Sequence, residues 1–322
     1  MKKITLIVLF VGTILSAIAQ TTEAESKLKT QAAVDTTSGW KKGGTITTNL
    51  SQVSLTNWAA GGQESYSVVG LLSLFSHYKK GNMLWENYLD LAYGTMKQGE
   101  ADWMKTDDKF DFTSKYGQKA SKNWYYAGLI NLKTQMTNGY NYPKAAGADP
   151  ISKFLAPGYL LGAIGMDYKP SESFTAFLSP LTAKVTIVND ETLADAGAFG
   201  VEKATYDEFG TLLTHGKKTR SEFGGYARFF FKHDIMKNVG LQSKLDLFSN
   251  YLNNPQNIDV SWEVLVSMKV NKYISATIST HLLYDDDIDI VVKKDALGNP
   301  TKSVKSKVQF KEVLGIGFSY KF

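Results

Sequence analysis

Leu314-Gly315-Ile316-Gly317-Phe318-Ser319-Tyr320-Lys321-Phe322 is the stretch that decides the fold. Its apolar residues alternate strictly with glycine, serine and lysine. A period of two puts one set on one face of a β-strand and the other set on the opposite face. At the edge of a soluble sheet such a strand would expose an aromatic face and an unpaired ladder. As the closing strand of a transmembrane barrel it is paired on both sides, and its apolar face meets lipid. The expected fold class is all-β: a transmembrane, antiparallel, up-and-down β-barrel.

The aromatic end at Phe322, with Tyr320 two residues earlier, resembles the C-terminal signal of outer-membrane barrels. The resemblance implies two partners, the lipid bilayer and the barrel-assembly machinery that takes up the strand ending in Phe322. The N-terminus agrees with this route. Lys2 and Lys3 precede an apolar run from Ile4 to Leu15, and Ala17-Ile18-Ala19 has small residues at the cleavage spacing. Residues 1–19 are expected to be a signal peptide, and the run is too short to cross about 30 Å of hydrocarbon. Residues 20–39 are expected to be a polar periplasmic lead-in, and 40–322 the barrel. The expected location is the outer membrane of a Gram-negative bacterium.

The chain has no cysteine, which excludes disulfides and thiolate metal sites. The net charge is +5, and the signal segment contributes two lysines and no acid. The remaining +3 is too mild for a nucleic-acid partner. Aromatic residues make up 12% of the chain, which suits the girdles at two membrane interfaces.

Twelve alternating segments are read at 43–53, 65–78, 83–96, 105–116, 123–136, 158–168, 174–188, 222–233, 239–249, 258–270, 274–284 and 308–322. In the tenth, Ile258, Val260, Trp262, Val264 and Val266 oppose Asp259, Ser261, Glu263 and Ser267, with Leu265 out of phase. The connections alternate short and long, as expected for periplasmic turns and outer loops. The longest, 189–221, has 33 residues; a cap over the barrel mouth and a surface loop are both open readings.

Several ordered motifs carry a family resemblance. They are Asn57-Trp58-Ala59-Ala60-Gly61-Gly62, Tyr93-Gly94 with Lys97, Lys105-Thr106-Asp107-Asp108-Lys109, Gln135 with Gly139-Tyr140, Leu178-Ser179-Pro180-Leu181, Ala196-Gly197-Ala198-Phe199-Gly200, and Leu245-Asp246-Leu247-Phe248-Ser249-Asn250-Tyr251. Together they resemble the Bacteroidota outer-membrane proteins grouped as domain of unknown function 3078. The resemblance implies an outer-membrane barrel and supplies no activity.

The faces opposite the apolar ones are charged. Glu86, Asp90, Lys109, Asp111, Lys115, Lys133, Arg228, Lys244, Asp246, Glu263 and Lys269 are the candidate lumen residues. Charges at membrane depth must face water or each other. The first reading is a narrow passive channel for small polar solutes or ions. The alternative is a non-conducting barrel, closed by ion pairs, that acts as a structural or assembly partner of other envelope proteins. No enzyme is expected, and no cofactor or metal. Ser279 and His281 lie two residues apart on one strand, an ordinary polar face rather than a nucleophile and base with an orienting third group. Among outer-loop candidates, Trp58 reads as an interface anchor or a stacking platform, and Gly61 and Gly62 permit a turn. Asp285, Asp286 and Asp287 lack the order of a calcium loop and read as a solvated tip.

Overall fold

The computed structural model describes residues 38–55, 62–144, 147–271, 274–285, 290–294, 300–304 and 307–322. The expected signal peptide, almost all of the lead-in, and Trp58, Gly61, Asp286 and Asp287 lie outside the described residues.

The strands are β1 (Gly39–Val53), β2 (Ser65–Lys80), β3 (Met83–Gln98), β4 (Met104–Lys119), β5 (Trp124–Thr134), β6 (Gly158–Tyr168), β7 (Phe174–Ile187), β8 (Thr205–Tyr206), β9 (Leu212–Thr214), β10 (Thr219–Met236), β11 (Val239–Asn250), β12 (Ile258–Lys269), β13 (Ile274–Tyr284), β14 (Ile290–Lys294), β15 (Pro300–Val304) and β16 (Gln309–Lys321). Twelve of them close a barrel in the order β1-β16-β13-β12-β11-β10-β7-β6-β5-β4-β3-β2, every pair antiparallel. The expected closed antiparallel barrel is therefore the observed one. β8 with β9, and β14 with β15, form separate two-stranded hairpins inside two long loops. A five-residue helix, α1 (Glu191–Asp195), also lies in the longest loop. Among the described residues no helix is long and apolar enough to cross a membrane.

Closure gives each of the twelve barrel strands a hydrogen-bonded neighbour on both sides, so the barrel has no free outer strand. The seam is short. β1 and β16 pair from Thr45↔Lys321 to Asn49↔Gly317, whereas β1 and β2 pair from Gly39↔Lys79 to Val53↔Ser65. Gly44 and Phe322 extend the seam by exchanging both backbone bonds at 3.0 Å.

Alternation sorts the side chains. Ile46, Leu50, Ile130, Ile164, Leu181, Leu314, Ile316 and Phe318 are exposed on the outside. At the short-turn end Trp40, Tyr78, Trp85 and Tyr116 stand in one cross-strand row, with ring centroids 4.9 Å apart for Trp40 and Tyr78 and 5.9 Å for Trp40 and Trp85. Such aromatic neighbours are a main stabilising unit of a sheet.

β7 changes phase midway. Phe177 and Ser179 face inward, and beyond the break the inward residues are Thr182, Lys184 and Thr186. The registers on both sides shift here, opposite Gly165 of β6 and Gly225 of β10. Pro180 has no N–H for the ladder, so a bulge is where it is tolerated. Gly165 is required: a Cβ there would lie 2.0 Å from the Leu178 carbonyl oxygen. The Ser179 hydroxyl occupies the bulge, 2.8 Å from the Ile164 carbonyl and 2.9 Å from that of Leu181. The Leu178–Leu181 motif thus has a backbone reason.

Candidate functional site: the charged interior

The interior holds three tiers of charge, built by strands that meet only because the sheet closes. Near the short turns, Lys115 of β4 lies 3.2 Å from Glu86 of β3 and 2.7 Å from Asp167 of β6. Lys169, just after β6, lies 2.7 Å from Glu86 and 3.3 Å from Asp167. Two ammonium groups and two carboxylates thus neutralise one another. Sequence reading placed Lys169 in a turn; its inward phase, two residues after Asp167, was the available signal.

In the middle tier the Lys244 ammonium of β11 lies 2.6 Å from Glu263 of β12 and 4.0 Å from Asp246. Arg228 of β10 donates to both Asp246 oxygens, at 2.6 and 3.1 Å, and the Tyr226 hydroxyl donates to the same carboxylate at 2.9 Å. Asn131 of β5 donates to Asp111 at 2.6 Å, and Ser73 of β2 to Asp90 at 2.7 Å. Lys109 lies 4.0 Å from Asp111. Glu263 is 0% exposed, Lys244 1%, Asp111 2% and Lys109 3%. Buried charges persist when paired and hydrogen-bonded.

Near the long loops, Lys184 of β7 reaches Asp259 at 3.0 Å, Glu222 at 3.4 Å and Asp285 at 3.8 Å. Asp285 is therefore at the barrel mouth, which corrects its reading as a solvated tip. Gly62 has φ +128°, a backbone conformation that favours glycine.

The inner face is not uniformly polar, contrary to the expectation of a charged lining. Ala127, Leu129, Ala163, Phe177, Tyr226 and Phe248 form a buried apolar wall across β5, β6, β7, β10 and β11. Leu265, out of phase in the sequence, is inward, fully buried, and packed with Phe230.

Two cavities flank this filling. One of about 390 Å³ opens toward the long loops and is lined by Lys133, Tyr159, Lys184, Arg228, Glu263 and His281 among others. The second, of about 820 Å³, opens at the short-turn end and is lined by Lys232, Lys237, Gln242, Ser267, Lys269 and Ser319 among others. Register places Gln242 opposite Leu265 and Lys244 opposite Glu263. The cavities are thus separated by a layer holding Lys244, Leu265 and Phe230. Of the eleven candidate lumen residues, Lys269 alone is exposed, at the lower rim.

The His281 ring nitrogen is 3.0 Å from the Ser261 hydroxyl on the neighbouring strand. In the longest loop, Ala194 and Val201 pack with Ala156 and Val188. Asp190 caps α1 through the Leu193 N–H at 3.0 Å and meets the Lys153 ammonium at 2.5 Å. Those bonds, Lys153 first, hold its carboxyl below the usual carboxylate range. Asp195 accepts from the Gly216 N–H at 2.7 Å and meets His215 at 3.1 Å; the Gly216 bond, then His215, lowers its pKa as well. Glu191, Asp195 and His215 come close enough to share a cation, but ordinary pairing accounts for the cluster. The outer cavity is lined by no described residue of 189–218; the segment packs on Ala156 and Val188. Asp108 anchors another loop, accepting from the Met136 and Thr137 N–H groups at 2.7 and 2.8 Å.

The fold and its filling define a closed antiparallel barrel with an ion-paired interior. Residues 50–140 match the model of the family described as "Protein of unknown function (DUF3078)". Among solved structures, an outer membrane channel from Pseudomonas putida F1 is similar at 11% identity, covering 91% of this chain and 98% of that one, with a TM-score of 0.43. The translocator domain of the autotransporter NalP from Neisseria meningitidis is similar at 10% identity, covering 92% of each chain, with a TM-score of 0.34. No curated protein matches the chain.

Proposed function

We propose that this is an outer-membrane barrel, closed in the state described, that serves the envelope as a structural or docking partner and has no catalytic role. The outward apolar belt and the aromatic row support a bilayer-embedded wall, because a soluble protein seldom exposes so large an apolar band. On this reading residues 1–19 direct secretion, the short turns face the periplasm, and the strand ending in Phe322 is the part taken up by the barrel-assembly machinery. The family match supports the resemblance at family level; a Bacteroidota origin remains part of the proposal.

The single observation that carries closure is the Lys244–Glu263 pair, out of contact with water in mid-barrel. Planar-bilayer recording of the refolded protein tests it. The closed reading expects insertions without steady conductance; an ohmic conductance in each folded insertion refutes it. The second reading is a narrow passive channel. It draws on the two cavities, which leave a thin seal made of side chains rather than backbone. If the wild type conducts, changing Lys109, Lys133 and Lys244 together to Glu should shift its reversal potential toward cations.

A further inference from the structure

The outer wall of β1–β4 carries a polar row where a lipid-facing surface should be apolar. Lys42, Ser76, Asn87 and Ser114 stand opposite one another across the four strands. Ser76, Asn87 and Ser114 alternate with the inward His77, Glu86 and Lys115, and Lys42 is out of phase with the inward Thr45 and Thr47. Below this row, nearer the short turns, lies the aromatic row of Trp40, Tyr78, Trp85 and Tyr116. Above it lie Gly44, Leu74, Leu89 and Phe112. The terminal Phe322 ring rests over Gly44, where a Cβ would come within 2.8 Å of both that ring and the Leu74 side chain. Short side chains between two bulky rows leave a groove of about 520 Å³ in the outer wall, lined by Lys42, Ser76, Asn87, Leu89, Phe112 and Phe322 among others.

Hydrogen bonding runs along the polar row and leaves donors over. The Trp85 indole N–H donates to the Ser114 hydroxyl at 2.9 Å, and that hydroxyl donates to the Asn87 amide oxygen at 2.8 Å. The Asn87 amide nitrogen donates one hydrogen to the Ser76 carbonyl at 3.2 Å. Its second N–H and the Ser76 hydroxyl have no acceptor among the described residues. Donors without acceptors are costly against hydrocarbon. The Lys42 ammonium sits 5.2 Å from the Trp40 ring centroid, turned toward the aromatic row, and no carboxylate pairs with it among the described residues. At the seam, the Phe322 terminus accepts from the Gly44 N–H at 3.0 Å and brings its carboxylate to the edge of the groove. The polar row lies two residues, about 6.7 Å of strand, inside the aromatic row. Aromatic rows mark headgroup level, so the donors stand at the depth of phosphate and ester oxygens and the apolar row at that of acyl chains.

We infer that this groove binds one zwitterionic phospholipid of the leaflet that faces the short turns. Its phosphate meets Lys42, its ester oxygens accept from Ser76 and Asn87, and an acyl chain lies along Leu89, Phe112 and Phe322. Such a lipid supplies acceptors and hydrocarbon at the two depths required. Free phosphate supplies only the first, and the apolar wall of a second barrel only the second. The inference rests on the bilayer-embedded reading and is independent of whether the lumen conducts.

The test is native mass spectrometry of the full barrel, refolded in a non-ionic detergent and titrated with dioleoylphosphatidylethanolamine. Dioleoylglycerol, with the same chains and no phosphate, is the comparison. One phospholipid should stay bound at activation energies that strip dioleoylglycerol and any further lipid. Lys42→Gln should weaken its binding at least about tenfold, as should Ser76→Ala with Asn87→Leu. Lys42→Arg should stay within about threefold of wild type. Ser243→Ala, outward on β11 between the buried Gln242 and Lys244, should change binding less than about twofold. Heat-modifiable mobility reports the fold of each variant. Equal retention of dioleoylglycerol, or equal loss in Ser243→Ala, overturns the inference. So does displacement by inorganic phosphate, which would indicate an ion site, or a lipid-free dimer, which would indicate a contact between barrels. A barrel that does not float with phosphatidylcholine liposomes sinks the bilayer reading; one that floats but retains no phospholipid sinks this inference alone.

Discussion

Glu263→Gln tests the seal directly. The substitution keeps the shape and removes the charge beside Lys244, whose ammonium is 2.6 Å away and whose side chain is 2% exposed. At an effective dielectric near 20 the lost attraction is about 6 kcal/mol gross. Asp246, at 4.0 Å, still attracts the ammonium, by about 4 kcal/mol on the same scale. Breaking one partner of a buried pair typically costs about 3–5 kcal/mol net, because the remaining charge stays buried. The residual Asp246 contact places this change near the lower bound, about 3 kcal/mol. The control is Lys244→Met with Glu263→Leu. Removing both charges at matched volume should be within about 1 kcal/mol of wild type or stabilising, since neither desolvation cost remains. Urea unfolding of the barrel in lipid vesicles, followed by tryptophan fluorescence, measures all three proteins. A cost for Glu263→Gln below about 1 kcal/mol would mean that water reaches Lys244, and the argument for a dry seal would fail.

Val264→Arg, on the outward face of β12, should destabilise by about 2–4 kcal/mol at the bilayer midplane. Ser267→Arg, which opens onto the larger cavity, should cost less than about 1 kcal/mol; equal costs in the same unfolding assay would contradict a lipid-facing belt. A protease-accessible tag in 189–221 or 285–307 should be cleaved on whole cells, and one in 169–173 only after the outer membrane is opened; the reverse pattern overturns the orientation. Asp190 has a lowered folded pKa, so its contribution is complete above the unfolded carboxylate value near about 4 and is lost as pH falls through the folded value. Hydrogen exchange in α1, corrected for intrinsic rates, should therefore rise below about pH 4 in the wild type, and Asp190→Asn should show a smaller acid step, the remainder belonging to Asp195.

The twelve barrel strands were legible because alternation is local. The segments at 158–168 and 274–284 coincide with β6 and β13, and 222–233 fell short of β10 by three residues at each end. Charge on the inner faces was legible for the same reason, but its pairing was not. Glu86 and Lys169 are 83 residues apart, and they meet because curvature brings β3 and the end of β6 together across the lumen. The apolar wall was hidden because Ala127, Ala163, Phe177 and Tyr226 sit on strands whose outer faces are also apolar. The segment 174–188 was read as unbroken; Pro180 was the available signal of a break in β7, but the phase change also depends on Gly165 and Gly225 lying opposite it. α1 and the β8–β9 hairpin are too short to establish a period.

The brevity of the β1–β16 seam gives this cylinder a weak line. Beyond Asn49 and Gly317, toward the long loops, the two strands share no described register pair, although each remains laddered to its other neighbour. Mechanically the wall is a rolled strip fastened by a short clasp at one end. Strain applied across it concentrates at Asn49–Gly317, where Gly317 leaves room for the Asn49 side chain. Unrolling there would begin at the unclasped edge and leave the other eleven ladders untouched until the clasp at Phe322 released.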